Sequence, residues 1–379
     1  MTLAEMLTEL IQRNGSDLHL VAGSKPTIRI NGELNPLSAP GENAAIVRPL
    51  SELDNADILG RSDVQTLLAP HLSERQMADI DARVDVHTSV VIDTPAVSEQ
   101  YGEAGRFRAC VFWDRRGLSA ALRVIPRKIP ALTDLFDPET EPIFRRLTDQ
   151  RRGLILTVGL VGSGKSTTVA AMVDTINTER AEHIVTIEDP IEYLYTAKKS
   201  LISQREVGSD VESYEQGGWS ALRSDPDVVV IGEFRTPEAV RIALALADTG
   251  HLVFATMHAG SVTEAVRRLV ESFAENRAPM QRMISRSLCA VIAQRLVPRA
   301  GGVGRVPVNE IMLVNSRIRR MIVDGDDDFD LAIEAGRVEG MQTMDDSVMH
   351  RYERGMISYQ KAWEIIQDRD RLGPQPSTD

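Results

Sequence analysis

The sequence is poor in the residues from which several kinds of protein are built. Two cysteines in 379 residues, Cys110 and Cys289, exclude a disulfide-stapled scaffold and a four-cysteine zinc site, and each reads as a small buried apolar residue. Aromatic residues make up 4% of the chain, few for a surface that stacks nucleobases. The longest apolar runs, such as Val228 to Ile231, are strand-sized, far short of the ~20 residues of a membrane helix. Lys and Arg number 43 against 55 Asp and Glu, a formal net charge of −12. Such a balance gives no general attraction to phosphate backbones or anionic lipid, and no direct nucleic-acid partner is expected. The opening MTLAEMLTELIQRNGSD patterns as an amphipathic helix with early acids rather than as a secretory signal, so the chain is expected to stay in the cytoplasm.

What is present is an ordinary globular mixture, 42% hydrophobic and 26% charged, in a chain long enough for more than one core. Residues 1–125 read as a small α/β domain. A helix is expected over Leu3 to Asn14, strands at Asp17 to Val21 and Thr27 to Ile30, a turn at Asn31-Gly32, a helix near Ser73 to Asp81, and strands at Val84 to Ile92 and Arg106 to Trp113. Residues 126–138 are assigned to a linker, because the prolines of IPRKIPALTDLFDP remove amide donors and restrict the backbone. From Gly153, strand-sized apolar runs alternate with helical patterns: GLILTVG, Lys165 to Asn177, HIVTIED, DVVVIGE, Pro237 to Asp248 and HLVFATMH. That alternation predicts an α/β domain at 139–310 with a parallel sheet covered by helices. Residues 311–379, with Ile311 to Val323 and Val348 to Ile366, read as mainly helical.

Gly159-Leu160-Val161-Gly162-Ser163-Gly164-Lys165-Ser166-Thr167 satisfies GxxxxGK[ST] between an apolar strand and a helix. Glycines let the backbone amides turn inward around phosphates, and the helix start adds partial positive charge. Lys165 is expected at the β- and γ-phosphates and Ser166 on Mg²⁺. ATP and Mg²⁺ are the ligands this motif implies. DVVVIGE ends a buried strand in Glu233, placed to polarise a water. IEDPIE offers Glu188 and Asp189, acids suited to ordering that water or holding Mg²⁺ through water. TGHLVFATMH is bracketed by His251 and His258, and the second falls on the same sheet edge as the acids. Arg106, Arg108 and Arg123 lie in the first domain; read alone they are surface cations, or charge donors to a transferring phosphoryl group from a neighbouring subunit.

These elements, in this order, resemble the secretion ATPase family of type IV pilus and type II secretion motors, and most closely its short PilT-like retraction branch. IEDPIEY is similar to the family's aspartate box, SDPDVVVIGEFR to its atypical Walker B, and TGHLVFATMHAGSVTEAVRRLV to its histidine box. QREVG, SLCAVIAQRL, GMQTMDDSV, SDLHLVAGSKPTIRINGEL and RFRACVF follow family wording as well. The resemblance implies a PAS-like α+β N-terminal domain, a RecA-like P-loop ATPase core and a C-terminal helical part, assembled as a homo-hexamer. It implies a partner in an inner-membrane pilus platform protein, which would hold the chain at the cytoplasmic face of that membrane. Glu233 becomes the catalytic glutamate, Glu188 the aspartate-box acid, His258 the histidine-box residue, and Arg106, Arg108 and Arg123 the arginines that reach nucleotide between subunits or domains. Arg268 matches a further family arginine.

Departures from the pattern are specific. Leu160-Val161 stand where Pro-Thr is usual. Gly217-Gly218-Trp219 replace a helical Leu-Arg stretch, predicting a shorter or differently packed helix. Arg317 and Arg320 in RIRRMI depart from the retraction branch's AIRNLI. Surplus length near Val90 to Glu103 predicts an extended hairpin or loop. Beside pilus retraction, the sequence leaves open a motor for type IV secretion, conjugation or export, a nucleic-acid motor, and a nucleotide-binding regulator without turnover.

Overall fold

The computed structural model describes residues 1–13, 15–30, 33–37, 58–94, 97, 105–125, 128–273, 276–302 and 304–374. The chain divides into two compact units, Met1–Arg127 and Lys128–Asp379. Asn31-Gly32, residues 126–127 of the expected linker and most of the expected surplus loop before Glu103 lie outside the described residues.

In the first unit the helix Leu3–Gln12 starts at a capping box in which Thr2 and Glu5 satisfy each other's backbone amides, and it buries Leu3, Met6, Leu7, Leu10 and Ile11 along one face. Strands β1 (Asp17–Val21), β2 (Thr27–Ile30), β3 (Glu33–Pro36), β4 (Val86–Ile92), β5 (Gly105–Trp113) and β6 (Leu118–Val124) form one sheet in the order β3-β2-β1-β6-β5-β4. Every pairing is antiparallel. Alternation sends Val86, Val90, Ile92, Phe107, Ala109 and Val111 into the core and puts His87, Ser89, Arg106 and Arg108 on the opposite face, together with Val91, Cys110 and Phe112. Val90 to Ile92, where the surplus loop was expected to begin, are the end of β4.

The second unit is built on a seven-stranded sheet of β7 (Gly153–Val158), β8 (His183–Glu188), β9 (Leu201–Glu206), β10 (Val228–Ile231), β11 (Leu252–Met257), β12 (Leu288–Pro298) and β13 (Arg305–Leu313), in the order β13-β12-β7-β11-β10-β8-β9. All neighbours run parallel except β13, which pairs antiparallel with β12. The central strands are almost wholly apolar, Thr157, Thr186 and Thr256 excepted, because helices cover both faces. Leu154, Leu156, Val229 and Val253 join one core cluster, while Ile155, Val228, Val230 and Phe254 join another beneath the helix Lys165–Glu179. The mixed α/β architecture expected from the alternating runs is the one the chain adopts.

One expectation needs correction. Ile311 to Leu313, read as helical, complete β13; the helix begins only at Ser316, where Asn315 caps it. Three apolar residues carry no period of their own, and pairing with β12 decides their conformation. The helix Tyr214–Ala221, expected to be shorter or differently packed, runs through Gly217 and Gly218, which set how it packs. A Cβ at Gly217 would lie 2.9 Å from Ile187 Cγ2, and one at Gly218 would lie 2.8 Å from Ile242 Cγ1. The glycines let this helix approach β8 and the helix Pro237–Asp248 more closely than any side chain would permit.

Gly218→Ala is therefore expected to destabilise the fold. Alanine's helix preference, about 1 kcal/mol, opposes overpacking against buried Ile242 of about 1–3 kcal/mol, leaving a net loss of about 1 kcal/mol. A lowered denaturant midpoint is the expected reading, and a raised midpoint would mean that the neighbouring helix yields freely.

Candidate active site

In a parallel sheet the carboxyl ends of neighbouring strands share one edge. Val158 is the register partner of Met257, Ile231 of Ala255, and Ile231 again of Ile187. The next residues along each strand bring Gly159, His258, Glu233 and Glu188-Asp189 to the same edge. The loop Gly159 to Gly164 follows β7 and runs straight into the helix starting at Lys165. Gly162 and Gly164 hold φ of 78° and 84°, left-handed values that glycine adopts without strain. Lys165 Nζ donates to the carbonyl oxygens of Gly159 at 2.8 Å and Leu160 at 3.2 Å. Burial draws its pKa below the usual lysine value, against the opposing fields of Glu233 and Glu192. Thr167 Oγ1 is paired with the Tyr193 hydroxyl at 2.8 Å.

Glu233 meets His258 across the edge, with Nε2 and Oε1 2.6 Å apart. Its second oxygen is 2.6 Å from Arg235 Nε, while Nη1 of the same guanidinium is 2.6 Å from Asp189 Oδ2. Arg235 thus ties together two acids that adjacent strands deliver. Arg268 donates to the His258 carbonyl oxygen at 2.7 Å and pairs with Glu264 at 2.6 Å, which secures the loop after β11. An open cleft of about 520 Å³ is lined by Glu233, Phe234, Arg235, Met257, His258 and Arg268, among others.

Glu188 lies on the strand beyond, accepting from Thr186 Oγ1 at 2.7 Å, the Glu192 amide at 3.3 Å and Gln204 Nε2 at 3.3 Å. Burial pushes its carboxyl up to about 7, the three donors offsetting only part of that. Ser166, Asp189 and Glu233 offer a hydroxyl and carboxylates, the all-oxygen chemistry that magnesium takes.

Arg106, Arg108 and Arg123 belong to the first unit and share the face of its sheet that is turned away from the core. Arg108 is the register partner of Arg123, and Arg123 of Asp17. Asp17 Oδ1 accepts from Arg123 Nε at 2.7 Å, and the Arg123 side chain remains 66% exposed. Burial would raise the Asp17 carboxyl, but hydrogen bonds from Ser16 and Arg123 outweigh it and hold the group below its usual range.

Arg235, Gln204, Tyr193 and Gln294 were not singled out from the residues. Arg235 sits two positions after Glu233, a spacing with no signal of its own, and the others reach the site from strands and turns distant in sequence.

The sequence matches the family described as Type II/IV secretion system protein over residues 101–364. A protein of Pseudomonas aeruginosa described as type IV pilus retraction ATPase PilT is 37% identical, covering 96% of this chain and 98% of its own. A twitching motility protein of Neisseria gonorrhoeae is 34% identical, covering 98% of this chain and 91% of its own. Among solved structures, the pilus retraction motor PilT with bound ADP superposes with a TM-score of 0.81 at 35% identity, covering 98% of each chain.

The raised Glu188 pKa has a stability consequence with a definite sign. The folded protein keeps the proton up to about pH 7, whereas the ordinary value is 4.5. The contribution of the neutral carboxyl is intact below 4.5 and is lost as pH rises toward 7. Relative to Glu188→Gln, the wild type should lose on the order of 2–3 kcal/mol between these limits. Melting temperatures of both proteins from pH 4.5 to 8 measure this, and parallel curves would remove Glu188 as a carboxyl protonated in the fold.

Proposed function

Because this chain is a member of the Type II/IV secretion system protein family, we propose that it is an ATP hydrolase whose turnover drives the retraction of type IV pili. The observation that carries the reading is the meeting of the phosphate loop 159–167 with the Glu233–His258 pair, 2.6 Å apart, at one sheet edge. Two relatives named for pilus retraction and twitching motility cover almost the whole chain, which favours pilus retraction over an export machine.

The loop's backbone and Lys165 bind the phosphates, with Gly159, Gly162, Ser163, Gly164 and Thr167 shaping and flanking the cradle. Glu233 takes the role of orienting the attacking water, and the His258 ring fixes the carboxylate's direction. Glu188, held by three donors, supports the same edge. Mg²⁺ would be held by Ser166, with Asp189 reached through water, and when bound it neutralises charge between the phosphates. Asp189 and Glu233 are drawn together by Arg235, which holds both carboxylates at the edge where that ion would be bound.

The working form is a homo-hexamer, in which Arg106, Arg108 and Arg123 bring positive charge to nucleotide from another subunit or domain. The exposed guanidinium of Arg123, held at Nε, keeps its outer nitrogens available for that purpose. Among the described residues no helix is long and apolar enough to cross a membrane. The ring works at the cytoplasmic face of the inner membrane, docked on a platform protein of the pilus machine.

Lys165→Ala should abolish nucleotide binding, because it removes the loop's lysine. Glu233→Gln should bind ATP yet hydrolyse it on the order of 100-fold more slowly or worse. Normal turnover by the glutamine variant, in a steady-state phosphate-release assay, would move the water-orienting role to another acid. Light scattering on the same samples should show a species of about six subunits wherever activity is high.

Arg106→Ala subunits mixed with wild type should depress the rate more than in proportion to their fraction. A strictly proportional loss would mean that this arginine acts within its own subunit or not on the nucleotide.

A further inference from the structure

The phosphate-binding loop is moulded against one buried side chain outside it. Gln294, 2% exposed, follows Ala293, the register partner of Val158; it therefore stands where β7 ends and the loop begins. Its Nε2 donates to the Ser163 carbonyl oxygen at 2.7 Å. Its Oε1 accepts from Thr168 Oγ1 at 2.8 Å and from Asn309 Nδ2 at 2.9 Å. Reversing the amide would set its oxygen against the Ser163 carbonyl oxygen, two acceptors with no proton between them. The two groups it grips on the nucleotide side, Ser163 and Thr168, bracket Lys165, Ser166 and Thr167.

The same position crowds two of the loop's glycines, the first through its main chain and together with Ser163 Oγ, also 2.4 Å from a Gly159 Cβ. A Cβ at Gly159 would lie 2.4 Å from the Gln294 main-chain oxygen, and one at Gly164 would lie 2.8 Å from Nε2. Asn309 holds Gln294 from behind. It faces Gln294 across the β12–β13 pairing, donates its main-chain N–H to Ser347 Oγ at 2.9 Å and accepts at its main-chain carbonyl oxygen from Gln342 Nε2 at 2.9 Å. Ser347 and Gln342 belong to GMQTMDDSV, and Gln294 to SLCAVIAQRL, two stretches to which the site otherwise assigns no role.

We propose that Gln294 is the positioning residue that sets the phosphate-binding geometry of loop 159–167, braced by Asn309 against the helix Met344–Glu353 that carries Ser347. It touches no nucleotide; it acts by fixing the direction of the Ser163 carbonyl and the first turn of the helix, and so the aim of the intervening amides and of Lys165. The inference rests on the reading of this loop as an ATP site. A loop whose backbone must be held in one shape before phosphate arrives binds more tightly than one that orders on binding, so the effect belongs chiefly to affinity.

Gln294→Glu is the discriminating substitution. The carboxylate keeps the acceptor for Thr168 and Asn309 but turns an oxygen toward the Ser163 carbonyl. With the full-length protein, titration with a fluorescent ATP analogue and Mg²⁺ should give a Kd raised about tenfold or more, and KM should rise with it while kcat changes less. The deficit should shrink as pH falls from 8 to 5.5, because a protonated carboxyl again donates to the Ser163 carbonyl. A buried carboxylate that merely loosened the core would be relieved by acid too, so the denaturant midpoint of the variant is followed over the same pH range, and a Kd deficit that only tracks the lost stability would overturn the role. Thr168→Val and Asn309→Leu, each removing one bond to Oε1, should raise Kd by about threefold and serve in place of Gln294→Glu should that variant not fold. Wild-type Kd in the folded variants, or a deficit that acid does not lessen, would overturn the role of Gln294. Absence of analogue binding by the wild type itself would instead overturn the ATP reading, and this inference with it.

Discussion

Everything at the candidate site depends on the in-register ends of four parallel strands. β7, β11, β10 and β8 are buried on both faces, and burial on both faces keeps their side chains almost wholly apolar, with Thr157, Thr186 and Thr256 the buried polar exceptions. Charged chemistry is therefore concentrated at the strand ends and the residues just past them. Glu188 is the last residue of β8, and Gly159, His258 and Glu233 follow the ends of β7, β11 and β10. Parallel pairing turns positions separated by tens of residues in sequence into neighbours along a single edge.

Crowding charge at that edge creates an electrostatic difficulty, which the structure resolves differently for each group. Lys165 is partly desolvated and rests on two loop carbonyls. Asp189 and Glu233 share the guanidinium of Arg235. Glu188, farther under cover, keeps its proton up to about pH 7. Three carboxylates on neighbouring strand ends are thus not equivalent: two are held as ion-paired carboxylates and one as a buried acid, a difference made by environment and not by residue type. The pair Glu233 and His258 then stands out as the carboxylate whose direction is fixed from two sides.

In the first unit a similar logic of alternation gathers Arg106, Arg108 and Arg123 on one face, since the opposite face of the same strands carries the core. Antiparallel register sets Asp17 opposite Arg123, and the bond to Nε leaves the outer edge of the guanidinium unclaimed by that carboxylate. Only the local arrangement is needed for this: a period of two along β5 and β6, and one acid opposite one of the arginines.

Much of this was legible in the linear sequence. The phosphate loop announced itself by glycine spacing, because the backbone conformations it needs are open to few other residues, and Gly162 and Gly164 hold left-handed φ values. The alternation of apolar runs with helical periods was enough for a parallel α/β core, and the period-two pattern of residues 105–113 was enough for β5. Less legible were features whose cause lies across space. Ile311 to Leu313 are strand because β12 lies beside them, and glycines stand within the helix Tyr214–Ala221 because Ile187 and Ile242 leave no room for a Cβ. Arg235 and Gln294 carry no local signal, since an arginine after a strand or a glutamine within one is chemically unremarkable until its partners are known. Local conformational preference and hydrophobic period act within a few residues and can be read from the chain; burial, register and the partner of a buried polar group arise from contacts between distant segments, and the tertiary structure alone decides them.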